Sequence, residues 1–292
     1  MIETNKQSLK LLIDYGGTHF RYVIKSEDKV IDESSIDTKN LDLIDFLTSL
    51  LSKKTDIDFV GIGVAAQVKN GVILSAPNIN IKDRNLKKYI EDRFDVQVEV
   101  DNDLKVAALA EMDLEGDDKS IVLLYIGTGF GSAFIEKGTI IRGESNLAGE
   151  IGHIPFKKAP FLCGCGKDNC VELFASGIGL QKWIEYYGIC VGEPTLEALE
   201  NLQDTKAKEI LENFYKALLH AVSTIVTLLN PNSLILGGAV FKNNPTLVDF
   251  LKDNLNLEAF KPSLKELEIK LSTLSSANLK GVDILIKQKR KT

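Results

Sequence analysis

Two stretches of the chain share one pattern of apolar and polar positions. Leu11 to Ile31 (LLIDYGGTHFRYVIKSEDKVI) and Leu123 to Ile141 (LLYIGTGFGSAFIEKGTII) each begin with an apolar run and enter a turn of Gly and Thr. Each then continues through a second strand-like segment, a tight polar turn and a third segment. The first run suits a strand buried on both faces, and the rest reads as strands joined by tight turns. The recurrence predicts two similar α/β halves, each with a glycine turn. Between them, helical spacing predicts helices over NLDLIDFLTSLLSK and LKKYIEDRFD, with a strand over DFVGIGVAAQV. VQVEVDND reads as a short strand with a polar end, and LKVAALAEMDLEG as a helix closed by Gly116. After Glu172 the spacing is helical in FASGIGLQKWIEYYG, EPTLEALENLQD and the long AKEILENFYKALLHAVSTIVTLLN. PNSLILGGAVF predicts a turn, a strand and a glycine pair; KELEIKLST predicts a strand and SSANLKGVDILIKQKR a helix. No linker interrupts this pattern, so the repeat alone locates a domain boundary, near Val106 to Leu114.

Composition narrows the class. The chain has 292 residues, 44% of them hydrophobic, enough for one large domain or two moderate ones. Charges interrupt every apolar stretch, so no membrane span is expected. MIETNKQSLK lacks the basic-then-apolar signature of a secretory signal, and a cytoplasmic protein is expected. The net charge of −6 argues against nucleic acid as the main partner, since phosphate contacts need a surplus of Lys and Arg. Four cysteines in a chain of this size do not make a disulfide framework.

Candidate chemistry begins at the glycine turns. In DYGGT, Gly16, Gly17 and Thr18 follow a buried strand, which lets backbone N–H groups approach an anion. Asp14 at the strand end could hold Mg²⁺ through water. The chain re-enters a strand, which excludes the Rossmann fingerprint, and no G-x-x-x-x-G-K-[ST] motif occurs. A hairpin turn that needs positive φ is the plainer alternative. IGTGFG repeats the arrangement with Gly127, Thr128 and Gly129. Two such turns, with Gly237 and Gly238 beside a purine, would make a nucleoside triphosphate site; close helix–strand packing would explain Gly237 and Gly238 equally well. In DND, Asp103 either caps the helix that follows or accepts a proton from a substrate hydroxyl while Asn102 bonds a neighbouring one.

Three of the four cysteines and one of three histidines fall within EIGHIPFKKAPFLCGCGKDNCVE. His153, Cys163, Cys165 and Cys170 make a Cys₃His tetrahedral zinc set, although the spacing is not that of a zinc finger. Four N/S ligands would close the site and make it structural. Glu150 and Glu172 bracket the loop as acceptors for sugar hydroxyls, or as ordinary solvated charge.

With DYGGT, APN at Ala76 to Asn78, DND, IGTGFG, GEIGH, CGCGKDNCVE and LNPNSLILGG assembled, the chain resembles the ROK family (repressors, open reading frames and kinases) of sugar kinases. The resemblance implies an α/β actin-like ATPase (ribonuclease H-like) fold with two domains around a nucleotide and sugar cleft. It implies a small domain over 1–108, joined by the C-terminal helix 277–292, and a large domain with the zinc loop over 109–276. It implies Asp103 as catalytic base and Asn78, Asn102, Asp103, Glu150, His153 and Glu172 as sugar ligands. ATP, with Mg²⁺, would be gripped by Gly16, Gly17, Thr18, Gly127, Thr128 and Gly129, with Gly237 and Gly238 at the adenosine. Zn²⁺ would lock the loop, and His153 would give one ring nitrogen to the metal and keep the other near the sugar. The implied reaction is phosphorylation of a hexose hydroxyl, glucose to glucose 6-phosphate. N-acetylmannosamine, N-acetylglucosamine, fructose, allose and a non-catalytic sugar sensor are the alternatives. Repressors of the family carry a DNA-binding segment before the kinase-like part; with DYGGT only a dozen residues from Met1, a free-standing kinase is expected instead. A homo-oligomer, specifically a dimer, is expected. The LK after DND departs from the family's small residues and is expected to change only helix packing. His19 and Arg21 have no assignment.

Overall fold

The computed structural model describes residues 8–38, 41–76, 79 and 81–289. The chain divides into two compact units. The first comprises Met1–Leu114, Gly143–Leu147 and Leu274–Thr292; the second comprises Glu115–Arg142 and Ala148–Thr273.

In the first unit, β1 (Leu9–Tyr15), β2 (His19–Ser26) and β3 (Lys29–Asp37) form an antiparallel meander. Helix α1 (Leu43–Lys53) follows, with Asp42 as N-cap. β4 (Ile57–Val64) pairs parallel to β1, β5 (Gln67–Lys69) and β6 (Val72–Ser75) make a small hairpin, α2 (Leu86–Glu91) follows, and β7 (Gln97–Asn102) pairs parallel to β4. The sheet order is therefore β3-β2-β1-β4-β7. Helix α3 (Asp103–Glu115) leaves directly from β7.

The second unit repeats this order. β8 (Ser120–Ile126), β9 (Phe130–Glu136) and β10 (Thr139–Ile140) form the meander. After helices α4 (Gly177–Tyr187), α5 (Leu196–Glu200) and α6 (Thr205–Leu229), β11 (Ser233–Gly237) pairs parallel to β8. Helices α7 (Ala239–Asn243) and α8 (Leu247–Glu258) lead to β12 (Glu268–Leu271), parallel to β11, and the order is β10-β9-β8-β11-β12. Each unit thus has a meander whose first strand starts a parallel half-sheet, and each glycine turn joins the first and second strands of its meander. The central runs are apolar because both faces are covered: Leu11, Ile13, Leu123 and Leu124 are fully buried.

Helix α9 (Ala277–Lys289) returns to the first unit and packs on β1 and β4. A Cβ at Gly61 would stand 2.4 Å from Val282 Cγ1, and one at Gly281 would stand 1.6 Å from the Val106 carbonyl oxygen. The first glycine admits α9 to the sheet and the second admits it to the backbone of α3. This contact keeps α3 with the first unit as far as Leu114, so a boundary at 108/109 falls inside the helix.

Asp283 on α9 is buried with Lys10 Nζ at 2.8 Å and Lys25 Nζ at 2.7 Å, and Lys287 Nζ lies 3.0 Å away. Burial alone would push its carboxyl up, but the hydrogen bonds from Lys10, Lys25 and Lys287 outweigh this and hold it at about 2. A depressed carboxyl contributes stability above the unfolded-state value, near 4, and loses it as pH falls through the folded value. The shift corresponds to about 2 kcal/mol. Melting followed between pH 5 and 2 should show a steeper loss in the wild type than in Asp283→Asn. Parallel curves would remove this carboxylate from the acid response.

Candidate active site

The first unit positions two acidic centres. Asp14, at the end of β1, is buried, and β1–β2 pairing puts Arg21 directly opposite it. Arg21 Nε donates to Asp14 Oδ2 at 3.0 Å, and Asn278 Nδ2, at the start of α9, donates to Oδ1 at 2.8 Å. Arg21, unassigned by sequence, is therefore the ion partner of Asp14. Arg21 Nη2 also donates to Oδ2, so Oδ1 is the oxygen that retains acceptor capacity beyond these bonds. At the adjoining turn, Gly16 N–H donates to His19 O at 2.9 Å and the Thr38 hydroxyl donates to Gly16 O at 3.0 Å.

The second centre lies where β7 becomes α3. Asn102 Oδ1 accepts from the N–H of Lys105 at 3.2 Å and shares the N–H of Leu104, at 3.1 Å, with Asp103 Oδ1, at 2.9 Å, so the two residues cap the helix together. Asn102 Nδ2 donates to Ala66 O at 3.1 Å and to Asp103 Oδ1 at 3.0 Å. The carboxylate of Asp103 is aimed from the first helical residue by a neighbour that is itself fixed at both ends of its amide.

Lys105 does more than alter helix packing. Its buried ammonium donates to Asn146 O at 2.8 Å, while Asn146 Nδ2 reaches Asp101 Oδ1 at 3.1 Å. Asn146 takes a left-handed φ of 59°, which its short amide tolerates. Together they tie residues 143–147 to the root of α3. Asn78 lies outside the described residues.

The second unit carries the other glycine turn. Gly127, Gly129, Gly16 and Gly17 are not among the described glycines with positive φ, so a hairpin's need for left-handed backbone does not explain them. A Cβ at Gly127 would meet nothing within 4 Å, which leaves open space on that side of the turn. Gly237 and Gly238 are different. A Cβ at Gly237 would stand 2.1 Å from the Tyr125 ring, and Gly238 (φ 88°) would bring one 2.3 Å from Ile126 O. Close packing accounts for both.

The cysteine loop folds as an irregular hairpin closed by a bridge between Pro155 and Cys170. Inside it, Cys163 N–H donates to Lys167 O at 2.8 Å and Gly166 N–H to Cys163 O at 2.9 Å. One donor atom from each of His153, Cys163, Cys165 and Cys170 lies within 4.8 Å of all the others. Cys165 Sγ and Cys170 Sγ are 3.4 Å apart, and Cys163 Sγ is 3.5 Å from His153 Nδ1. A tetrahedral zinc ion requires S···S of about 3.8 Å and S···N of about 3.5 Å, from Zn–S near 2.3 Å and Zn–N near 2.0 Å. The donor set and spacing fit zinc, with Nδ1 on the metal side. Nε2 faces Glu150, 3.8 Å from Oε2.

The thiols are tuned unequally. Burial pushes Cys163 well above the ordinary thiol range, and burial with the Cys165 hydrogen bond pushes Cys170 up to about 11. Burial also acts upward on Cys165, but the Lys167 N–H and hydrogen bonds from Cys170 and Cys163 outweigh it and lower its value. Glu172 joins the two features of this unit: Oε2 accepts from Phe130 N–H at 3.0 Å and Oε1 lies 3.4 Å from Cys163 Sγ.

The ROK family model matches residues 11–289. The chain belongs to the ROK family. A glucokinase of Halalkalibacterium halodurans is 30% identical, with 94% of each chain aligned. An N-acetyl-D-glucosamine kinase of Photobacterium profundum is 31% identical over 68% of this chain and 72% of its own length. Among solved structures, a ROK hexokinase from Thermus thermophilus superposes with a TM-score of 0.75 at 23% identity, covering 96% of this chain and 99% of that one. A ROK glucokinase from Streptomyces griseus, in complex with glucose and AMPPNP, gives 0.71 at 23% identity, covering 96% and 100%. This chain therefore has the ROK kinase fold, the actin-like α/β arrangement that the resemblance implied. Among the described residues, no helix is long and apolar enough to cross a membrane.

Proposed function

We propose that this protein transfers the γ-phosphoryl group of ATP to O6 of glucose. The coarser statement, that it is an ATP-dependent sugar kinase, follows from its ROK membership and from kinase relatives at about 30% identity over most of its length. Glucose is the finer step. It is favoured because the glucokinase relative aligns over 94% of both chains, whereas the N-acetyl-D-glucosamine kinase of Photobacterium aligns over 68% of this one.

The observation that carries the mechanism is the division of labour at β7–α3. Asn102 caps Lys105 N–H and orients the Asp103 carboxylate through its amide, while Asp103 Oδ1 shares Leu104 N–H, so the carboxylate is held in one place at the strand–helix junction. In this reading the Asp103 carboxylate takes the proton of the attacking hydroxyl as its oxygen forms a bond to the γ-phosphorus and the bond to ADP breaks. Phosphoryl transfer depends more on position and charge than on a strong base. Asn102, expected from the sequence to bond sugar, has its amide filled by Ala66, Asp103, Leu104 and Lys105 and acts by steadying Asp103, while Asn78, Glu150, His153 and Glu172 bond the sugar's remaining hydroxyls. Backbone N–H groups of Gly17, Thr18, Thr128 and Gly129 hold the phosphates of Mg²⁺–ATP, while Gly16 and Gly127 close the two turns with their own N–H groups, Asp14 stays near the cation, and Gly237 and Gly238 border the adenosine. Zinc, when bound by His153, Cys163, Cys165 and Cys170, supplies rigidity and no reacting atom; a Cys₃His set fills a tetrahedral ion and leaves no position for substrate. The protein acts as a cytoplasmic dimer.

The product tests this reading. Incubation with glucose and Mg²⁺–ATP should yield a product that glucose-6-phosphate dehydrogenase oxidises, one NADP⁺ reduced per ADP formed. ADP formed from glucose without dehydrogenase-competent product would place the phosphate on another hydroxyl.

A further inference from the structure

Gly129 lacks a side chain for a reason that Gly127 does not share. A Cβ there would stand 2.9 Å from Glu172 Oε2. That oxygen is the one that accepts from Phe130 N–H, at 3.0 Å. The rest of the turn rests on main chain: Gly177 N–H donates to Gly127 O at 2.8 Å and Ile178 N–H to Thr128 O at 3.0 Å, both from the first turn of α4. Glu172 is bound into the same corner. The Ser176 hydroxyl donates to Glu172 O at 2.7 Å and accepts from Gly179 N–H at 3.0 Å. A Cβ at Gly179 would stand 2.7 Å from Glu172 O, so α4 starts in close contact with this residue's backbone. The second carboxylate oxygen lies 3.4 Å from Cys163 Sγ, one of the four clustered donors.

A carboxylate that accepts a backbone N–H makes a charge-assisted bond, stronger than a neutral one. Here it fixes the residue immediately after the glycine turn, and its own side chain starts two residues after Cys170, the last of the clustered cysteines. We propose that Glu172 is a positioning residue for the nucleotide: its carboxylate fastens the Gly127–Gly129 turn to the cysteine loop. Glu172 follows Cys170 by two residues, so order in the metal cluster reaches the backbone that grips phosphate through this short main-chain segment, and not through the Cys163 thiol, whose proton a bound metal would displace. This adds a nucleotide role to a residue read above as a sugar ligand. It rests on the reading of the turn as a phosphate site.

Titration of a non-hydrolysable ATP analogue with Mg²⁺, in the absence of sugar, separates the two roles. Glu172→Ala should bind the analogue about tenfold more weakly, the loss of one hydrogen bond to a charged group. Glu172→Gln should stay within about threefold, because the amide oxygen can still accept from Phe130 N–H. Gly129→Ala should weaken binding in the wild-type background, by displacing the carboxylate, and add little in Glu172→Ala. Hydrogen exchange gives a readout free of ligand: the Phe130 amide should lose protection in Glu172→Ala and in Gly129→Ala, and keep it in Glu172→Gln. Removing metal from the wild type should weaken analogue binding more than removing it from Glu172→Ala. Gly127→Val reports on the turn itself. If it abolishes analogue binding while Glu172→Ala binds normally, the inference fails and the turn reading stands. If Gly127→Val binds normally, both fail. Equal effects of Gly129→Ala in the two backgrounds would also overturn the proposal, since Gly129 would then act on phosphate without Glu172.

Discussion

Replacing Asp103 with asparagine is expected to lower kcat by roughly 10²–10⁴ while sugar affinity changes little. The substitution keeps shape and removes the proton acceptor. It leaves the helix start nearly intact, because Asn102 keeps its bonds to Leu104 and Lys105 and the new amide oxygen can still accept from Leu104 N–H as Asp103 Oδ1 does. The amide oxygen of the new residue can still accept from Asn102 Nδ2, as Asp103 Oδ1 does now. What the fold loses is one negative charge in the first helical turn, about 0.3–1 kcal/mol. Asn102→Ala provides the contrast: it removes the cap, about 1 kcal/mol, and releases Asp103, so the melting temperature and kcat should fall together. Steady-state kinetics and thermal melts on both variants separate catalysis from folding. A kcat within a few-fold of wild type in Asp103→Asn would reduce Asp103 to a helix-terminal carboxylate.

The second large effect concerns the metal. Protein purified without chelator is expected to hold about one zinc per chain at a site of this donor set. Cys165→Ala should lower zinc content, loosen the segment between Glu150 and Glu172, and raise the sugar KM by roughly 10–100-fold. Any residual turnover should still require Mg²⁺ and Asp103, because the metal has no reacting atom to offer. His153→Ala should be worse than the loss of any one cysteine. Its Nδ1 lies on the cluster side and its Nε2 faces Glu150, so one substitution removes a ligand and disturbs a carboxylate proposed to bind sugar. Elemental analysis and sugar kinetics on the same preparations check this. A metal-free wild type with full activity and normal sugar affinity would contradict it.

The sequence was most informative where structure is local. The apolar runs of β1 and β8 stand out because both faces are covered, and the glycine turns stand out because they follow those runs directly. The cysteine loop could be read because its ligands are close together in the chain. Arg21 was within reach: counting back from the DYGGT turn pairs it with Asp14 across the hairpin. The cap at α3 was harder, because Asn and Asp serve almost equally as N-caps and sequence cannot choose between neighbours. Asn278 could not have been found locally, since it meets Asp14 from 264 residues away. The same holds for the Asn146–Lys105 tie, which joins residues 143–147 to α3 within the first unit across 41 residues of sequence. Gly237 and Gly238 admitted two explanations, and the Tyr125 ring and Ile126 carbonyl supply the packing one.

The central claim is tested most directly by sugar-dependent ADP release from the purified protein with Mg²⁺–ATP, measured across glucose, N-acetylglucosamine, N-acetylmannosamine, fructose and allose. The account predicts release with a sugar present, abolished in Asp103→Asn, with kcat/KM highest for glucose. A higher kcat/KM for N-acetylglucosamine would move the substrate to the second group of relatives and leave the kinase chemistry standing. No sugar raising ADP release above background would contradict the account at its root.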